Sequence, residues 1–99
     1  MNTINQYTPY KPNFTAGASI GKGTPQHIAE FIKSNKARLP KRFEIRISTT
    51  QSDELRFSLL NKVNYNKVTD SNIFSLKKNN ILDELQDYFE KLVKKYPIL

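Results

Sequence analysis

Ninety-nine residues limit the chain to one domain with a modest core, because a chain of this size buries only about two thirds of the surface it exposes when unfolded. Cysteine is absent, so neither a disulfide framework nor a thiolate zinc site can reinforce that core. Sixteen Lys and Arg against nine Asp and Glu give a formal charge of +7, which favours nucleic acid or an acidic protein as partner.

The opening "MNTINQYTPYKPNF" has neither the basic start nor the apolar run of a secretory signal. No stretch of about 20 apolar residues is present to cross a bilayer, so a cytoplasmic protein without membrane partners is expected. The composition, rich in Asn and with Lys well ahead of Arg, suggests an AT-rich genome such as that of a phage or mobile element. Residues 1–23 carry two prolines, three glycines, two lysines and no acid. They are expected to form a flexible, disordered leader ahead of an α+β domain over residues 24–99. Within the leader, Tyr7, Tyr10 and Phe14 interleave with Lys11, a composition suited to stacking on unpaired bases or docking on a protein groove.

"GASIGKGT", residues 17–24, resembles a phosphate-cradling loop at first sight. A Walker-type loop needs four residues between its first glycine and Gly-Lys-Ser/Thr, so that backbone N–H groups wrap the phosphates and the hydroxyl binds magnesium. Here three residues separate Gly17 from Gly21, and Gly23 stands where the hydroxyl is needed. No buried strand is expected before the loop. The glycines are therefore expected to act as a hinge, and no nucleotide cofactor is expected.

At Thr24 the character changes: its hydroxyl suits a helix N-cap and Pro25 suits the first helical position. Ile28, Phe31, Ile32, Asn35 and Leu39 then share a helical face, and Pro40 disfavours helix at the residue before it, which predicts a helix over about 25–37. "RFEIRIS" alternates strictly, with Phe43, Ile45 and Ile47 on one side, and after the polar "TTQSD" so do Leu55, Phe57 and Leu59. These predict a hairpin whose outer face mixes Arg42, Arg46 and Arg56 with Glu44 and Glu54. "KVNYNKV", residues 62–68, predicts a weaker third strand. The last element is an amphipathic helix. Its apolar stripe runs through Ile81, Leu85, Phe89 and Leu92, its acids come early and its bases late, and ion pairs are expected between Asp87 and Lys91 and between Glu90 and Lys94. Asn80 or Ser75 would cap its start.

The expected fold is thus α+β in the order α-β-β-(β)-α, with two helices packed on one face of an antiparallel sheet. That order, with "TP" opening the first helix and Ser75, Lys77 and Lys78 preceding the last, resembles the layout of double-stranded-RNA-binding domains over residues 24–96. The resemblance implies that lysines before the final helix read phosphates. The chain departs from that family where a Gly-Pro-x-His loop should stand, since "TTQSD" stands there, and "VTDSNIF" replaces the glycine-rich approach to the lysines. The outline places it in no family.

Catalytic signals are weak. The single histidine, His27, has only Glu30, Lys33 and Lys36 near it along the helix, as any exposed helix would show, and the carboxylates are scattered without metal-ligand spacing. No metal and no catalytic residue is expected, a metal-independent nuclease being the one enzymatic reading with any support. Basic residues cluster instead: residues 24–48 hold six bases against two acids. The sequence-level expectation is a non-enzymatic nucleic-acid-binding protein gripping RNA or DNA with Lys33, Lys36, Arg38, Lys41, Arg42 and Arg46, assisted by Lys77, Lys78 and the leader residues Tyr7, Tyr10 and Lys11. The alternative is a protein-binding inhibitor or adaptor, such as a phage counter-defence protein whose basic face covers an acidic or nucleic-acid-handling surface on a host protein.

Overall fold

The computed structural model describes residues 16–98. They form strand β1 (Gly17–Ile20), helix α1 (Gln26–Asn35), strands β2 (Phe43–Thr49), β3 (Glu54–Asn61) and β4 (Lys67–Ser75), and helix α2 (Ile81–Lys95). A 3-10 turn over Lys36–Arg38 extends α1, and another over Lys62–Asn64 follows β3. The strands lie in the order β1-β2-β3-β4. The α+β class, with two helices against one face of a sheet, is as the apolar periodicity dictates.

Two features of that expectation are corrected. The sheet is mixed, not antiparallel: β1 pairs parallel with β2, Gly17 opposite Glu44 and Ile20 opposite Ile47, and only β2, β3 and β4 run antiparallel. β1 also moves the ordered boundary back from residue 24 to at least Ala16, which is buried and donates its N–H to the Leu39 carbonyl at 3.0 Å. Residues 17–20 of the expected leader are thus a strand, and residues 1–15, with Tyr7, Tyr10, Lys11 and Phe14, lie outside the described residues.

The glycines after β1 build a tight turn and not a hinge. A Cβ on Gly21 would stand 3.0 Å from the Ile47 carbonyl oxygen, which its own N–H meets at 2.8 Å, and Gly23 has φ +86°. Thr24 spends its hydroxyl on the Gly21 carbonyl at 2.8 Å, so it closes this turn instead of capping α1, whose N-cap is Pro25. The β2–β3 connection manages without glycine because Asp53 adopts φ 56°, while the Thr50 hydroxyl accepts the Ser52 and Glu54 N–H groups.

The third strand begins at Lys67, later than expected, because "KVN" winds into the 3-10 turn and Tyr65 and Asn66 both take left-handed conformations. Ile45, Ile47, Leu55, Phe57, Leu59 and Phe74 of the sheet meet Ile28 and Ile32 of α1 and Ile81, Leu85, Phe89 and Leu92 of α2 in one core. Edge-to-face ring contacts lock it, with Phe31 against Phe89 at 5.6 Å and Tyr88 against Phe57 and Phe74 at 5.2 and 5.7 Å.

Candidate nucleic-acid interface

The strand register collects chain segments distant in sequence at one end of the sheet. Phe43 lies opposite Asn61 and Asn61 opposite Lys67, so β2 begins where β3 ends and β4 begins. The Lys62 N–H reaches the Arg42 carbonyl at 2.7 Å. Helix α2 runs down to the same end: the Tyr96 ring packs 4.9 Å from that of Phe43, and Lys95 donates to Asp70 at 3.0 Å. The C-terminal turn of α1 arrives there as well, since Arg38 grips Glu90 of α2. Of the residues singled out in the sequence, Lys33, Lys36, Arg38, Lys41 and Arg42 are therefore brought together. Lys62, Lys67, Lys94 and Lys95 join them.

Several of these cations are not neutralised. Among the described residues, Lys33, Lys36, Lys62, Lys67 and Lys94 are in no ion pair. The Arg42 guanidinium carbon sits 4.5 Å from the centre of the Phe43 ring. The acids of this end are already engaged. Glu90 takes Arg38 in a two-pronged pair at 2.6 and 2.8 Å, which holds the Glu90 carboxyl below its usual range and raises the guanidinium.

Asp70 takes three donors: Lys95 at 3.0 Å, Tyr96 at 3.0 Å and Tyr88 at 3.3 Å. Partial burial pushes the Asp70 carboxyl up, but the bonds from Lys95, Tyr96 and Tyr88 together outweigh it and hold the carboxyl below the ordinary range. Burial and the Asp70 charge push both tyrosine hydroxyls up, so they stay protonated donors. This cluster ties the end of α2 to β4 and so fixes where Lys94 and Lys95 stand.

The turn between β3 and β4 adds an aromatic group that the sequence reading passed over in favour of the leader tyrosines. Tyr65 is 97% exposed, with φ 54° and ψ 36°, and Asn66 follows with φ 57°. These two consecutive left-handed residues close the five-residue connection between β3 and β4, in a conformation normally given to Asn or Gly. The Asn61 side chain braces the segment by accepting the Val63 N–H at 3.0 Å. The outcome is a phenol ring held out in solvent between Lys62 and Lys67. Its signal in the sequence was "NYN", a tyrosine set between two turn-forming residues.

The remaining residues of the sequence-level set are held in ion pairs or stand elsewhere. Arg38 is committed to Glu90, and its guanidinium carbon lies 5.8 Å from the centre of the Phe89 ring. Arg46 points from the sheet face opposite the helices, opposite Ser19 and Ser58, with Glu44 at 3.3 Å. Lys77 and Lys78 follow the far end of β4, where Ser75 lies opposite Glu54, roughly 25 Å along the strand from Lys67. Lys78 is paired there with Glu84 at 3.2 Å, which offsets its charge beside the positive end of α2. The helix pairs expected between Asp87 and Lys91 and between Glu90 and Lys94 are not formed.

His27 is exposed in the first turn of α1 at that same far end, and no group of three or more His, Cys, Asp or Glu among the described residues is arranged to hold a metal ion. No helix among them is long and apolar enough to cross a membrane. Comparison with known families, curated proteins and solved structures finds no match for the chain.

Proposed function

We infer that the protein is a non-enzymatic nucleic-acid-binding protein that holds phosphates at the basic end of the sheet and stacks Tyr65 on an unpaired base. The observation that carries this is the company Tyr65 keeps: a wholly exposed ring in a strained backbone conformation, flanked by lysines that no carboxylate neutralises. A tyrosine in that conformation costs folding free energy without returning any packing, which is the pattern of a residue kept for contact with something else. Lysines as point charges track a backbone, and an aromatic face accepts any base, so the combination suits single-stranded RNA or DNA with little sequence preference. Both helix C-termini also lie at this end and draw cations through their dipoles, but Lys62 and Lys67 belong to a hairpin and owe nothing to that effect.

The test is fluorescence anisotropy with labelled single strands of about 20 nucleotides at fixed salt. Reversing Lys33, Lys36 and Lys62 together to Glu is expected to weaken binding at least about tenfold, equally for RNA and DNA of any sequence. Lys77→Glu, at the far end, is expected to leave it within about twofold. Equal losses from both variants, or no binding by the wild-type chain, would contradict the assignment.

A further inference from the structure

The two edges of the sheet are unlike. β1 offers four residues ahead of the turn at Gly21, whereas β4 offers nine and is the longest strand of the sheet. Natural edges are usually kept short, bulged or charged so that they do not pair with another chain. β4 has its bulge at Thr69 and its charges at Lys67 and at Asp70, which faces α2, all before Ser71, leaving the stretch from Ser71 to Ser75 regular and uncharged. Four of the five large hydrophobic residues most exposed among those described lie between residues 63 and 73, and Val68 and Ile73 are each 52% exposed on β4 itself.

Backbone polarity along this edge follows from one bond. Leu76 donates its N–H to Asp53 at 2.8 Å, so by the alternation of antiparallel pairing Phe74 and Asn72 bond to β3 while Ile73 and Ser71 turn their backbone groups outward. The Ile73 N–H accordingly has no strand to meet and takes the Asn72 side-chain oxygen at 2.8 Å. Beside this edge lies a groove of about 280 Å³ between β4 and α2, lined by Asn72, Ile73 and Phe74 on one side and Glu84, Asp87, Tyr88 and Lys91 on the other. Asp87 and Lys91 stand one turn apart, both exposed, and neither is in an ion pair among the described residues.

We propose that this edge is a homodimer interface, in which β4 pairs antiparallel with β4 of a second copy about a two-fold axis at Asn72, joining two four-stranded sheets into one. Ile73 of each copy then faces Ser71 of the other, and their outward N–H and C=O groups bond across the seam. Because α2 lies over β3 and β4, the axis sets the two α2 helices antiparallel at about 10–14 Å, from the usual strand spacing. Asp87 of each helix then faces Lys91 of the other. A two-fold contact must be complementary to itself, and Asp87 and Lys91 on either side of Tyr88 meet that condition, the wall's other acid, Glu84, being held by Lys78 of its own chain. The basic ends of the two copies point to opposite ends of the joined sheet, so pairing leaves them free. Dimerisation and nucleic-acid binding therefore succeed or fail separately.

Sedimentation equilibrium on the full chain tests the proposal, with far-UV circular dichroism to verify that each variant is folded. The wild type is expected to sediment with twice the chain mass of 11.5 kDa. Asp87→Lys is expected to be monomeric because Lys would face Lys91, and Lys91→Asp because Asp would face Asp87. An equal mixture of the two variants is expected to recover the dimer, since each copy then presents one sign of charge to the other. A wild type that stays monomeric up to about 1 mM overturns the proposal and leaves the edge to a strand from a different protein. A dimer that both single variants leave intact, or a mixture that stays monomeric, overturns it equally.

Discussion

Tyr65 is where stability and binding pull in opposite directions. Asn tolerates the left-handed conformation far better than Tyr does, because its short polar side chain satisfies itself locally. Replacing Tyr65 by Asn is therefore expected to stabilise the fold, by about 1 kcal/mol in urea denaturation. The same change should weaken single-strand binding by about 1–3 kcal/mol, the usual value of one stacked base. A residue kept for structure would lose on both counts or neither. Such opposition was within reach of the sequence, since a tyrosine between two asparagines in a hairpin is out of place. Lys33, Lys36, Lys41 and Arg42 were legible because they are neighbours in the chain. Lys62, Lys67 and Lys94 were not, because strand register and the landing of α2 bring them in.

Among the elements, α2 is held to the sheet by its apolar stripe and by a polar latch. Asp70 accepts from Tyr88, Tyr96 and Lys95, and its carboxyl lies below the ordinary range. A carboxylate with a depressed folded-state pKa contributes stability that is complete above the unfolded value and is lost as pH falls through the folded value. The wild type should therefore lose this contribution only in acid below the usual carboxylate range. Asp70→Asn should lower stability at neutral pH by about 1–3 kcal/mol, since an amide cannot satisfy the three donors. It should also flatten the acid limb of the stability profile, as measured by urea denaturation between about pH 7 and about pH 2. The helices and the central hairpin were readable because their apolar periods, 3.6 and 2, run for whole elements. β1 was hidden because "GASI" is short, turns only Ala18 and Ile20 toward the core, and pairs in parallel with a strand some 27 positions further on. β4 was misplaced because it is an edge with few buried side chains, so alternation was weak over the whole of its length.

At the level of the whole molecule, +7 is distributed unevenly. One end of the sheet gathers the C-termini of both helices, the β3–β4 hairpin and the start of β2, and with them most of the unpaired bases. The other end mixes Lys77 and Lys78 with Glu54, Asp83 and Glu84, and pairs Lys78 with Glu84. Affinity for a polyanion should then come from a few phosphate contacts at one end and not from net charge as a whole. Each contact releases condensed counterions, so the salt dependence counts them. The decisive measurement is the affinity for a labelled single strand between about 50 and 200 mM salt. Four contacts predict a slope of log affinity against log salt of about −3, falling toward zero in the Lys33, Lys36 and Lys62 reversal variant. An affinity that does not change with salt, or a slope that the reversal leaves unaltered, would contradict a phosphate-holding basic end.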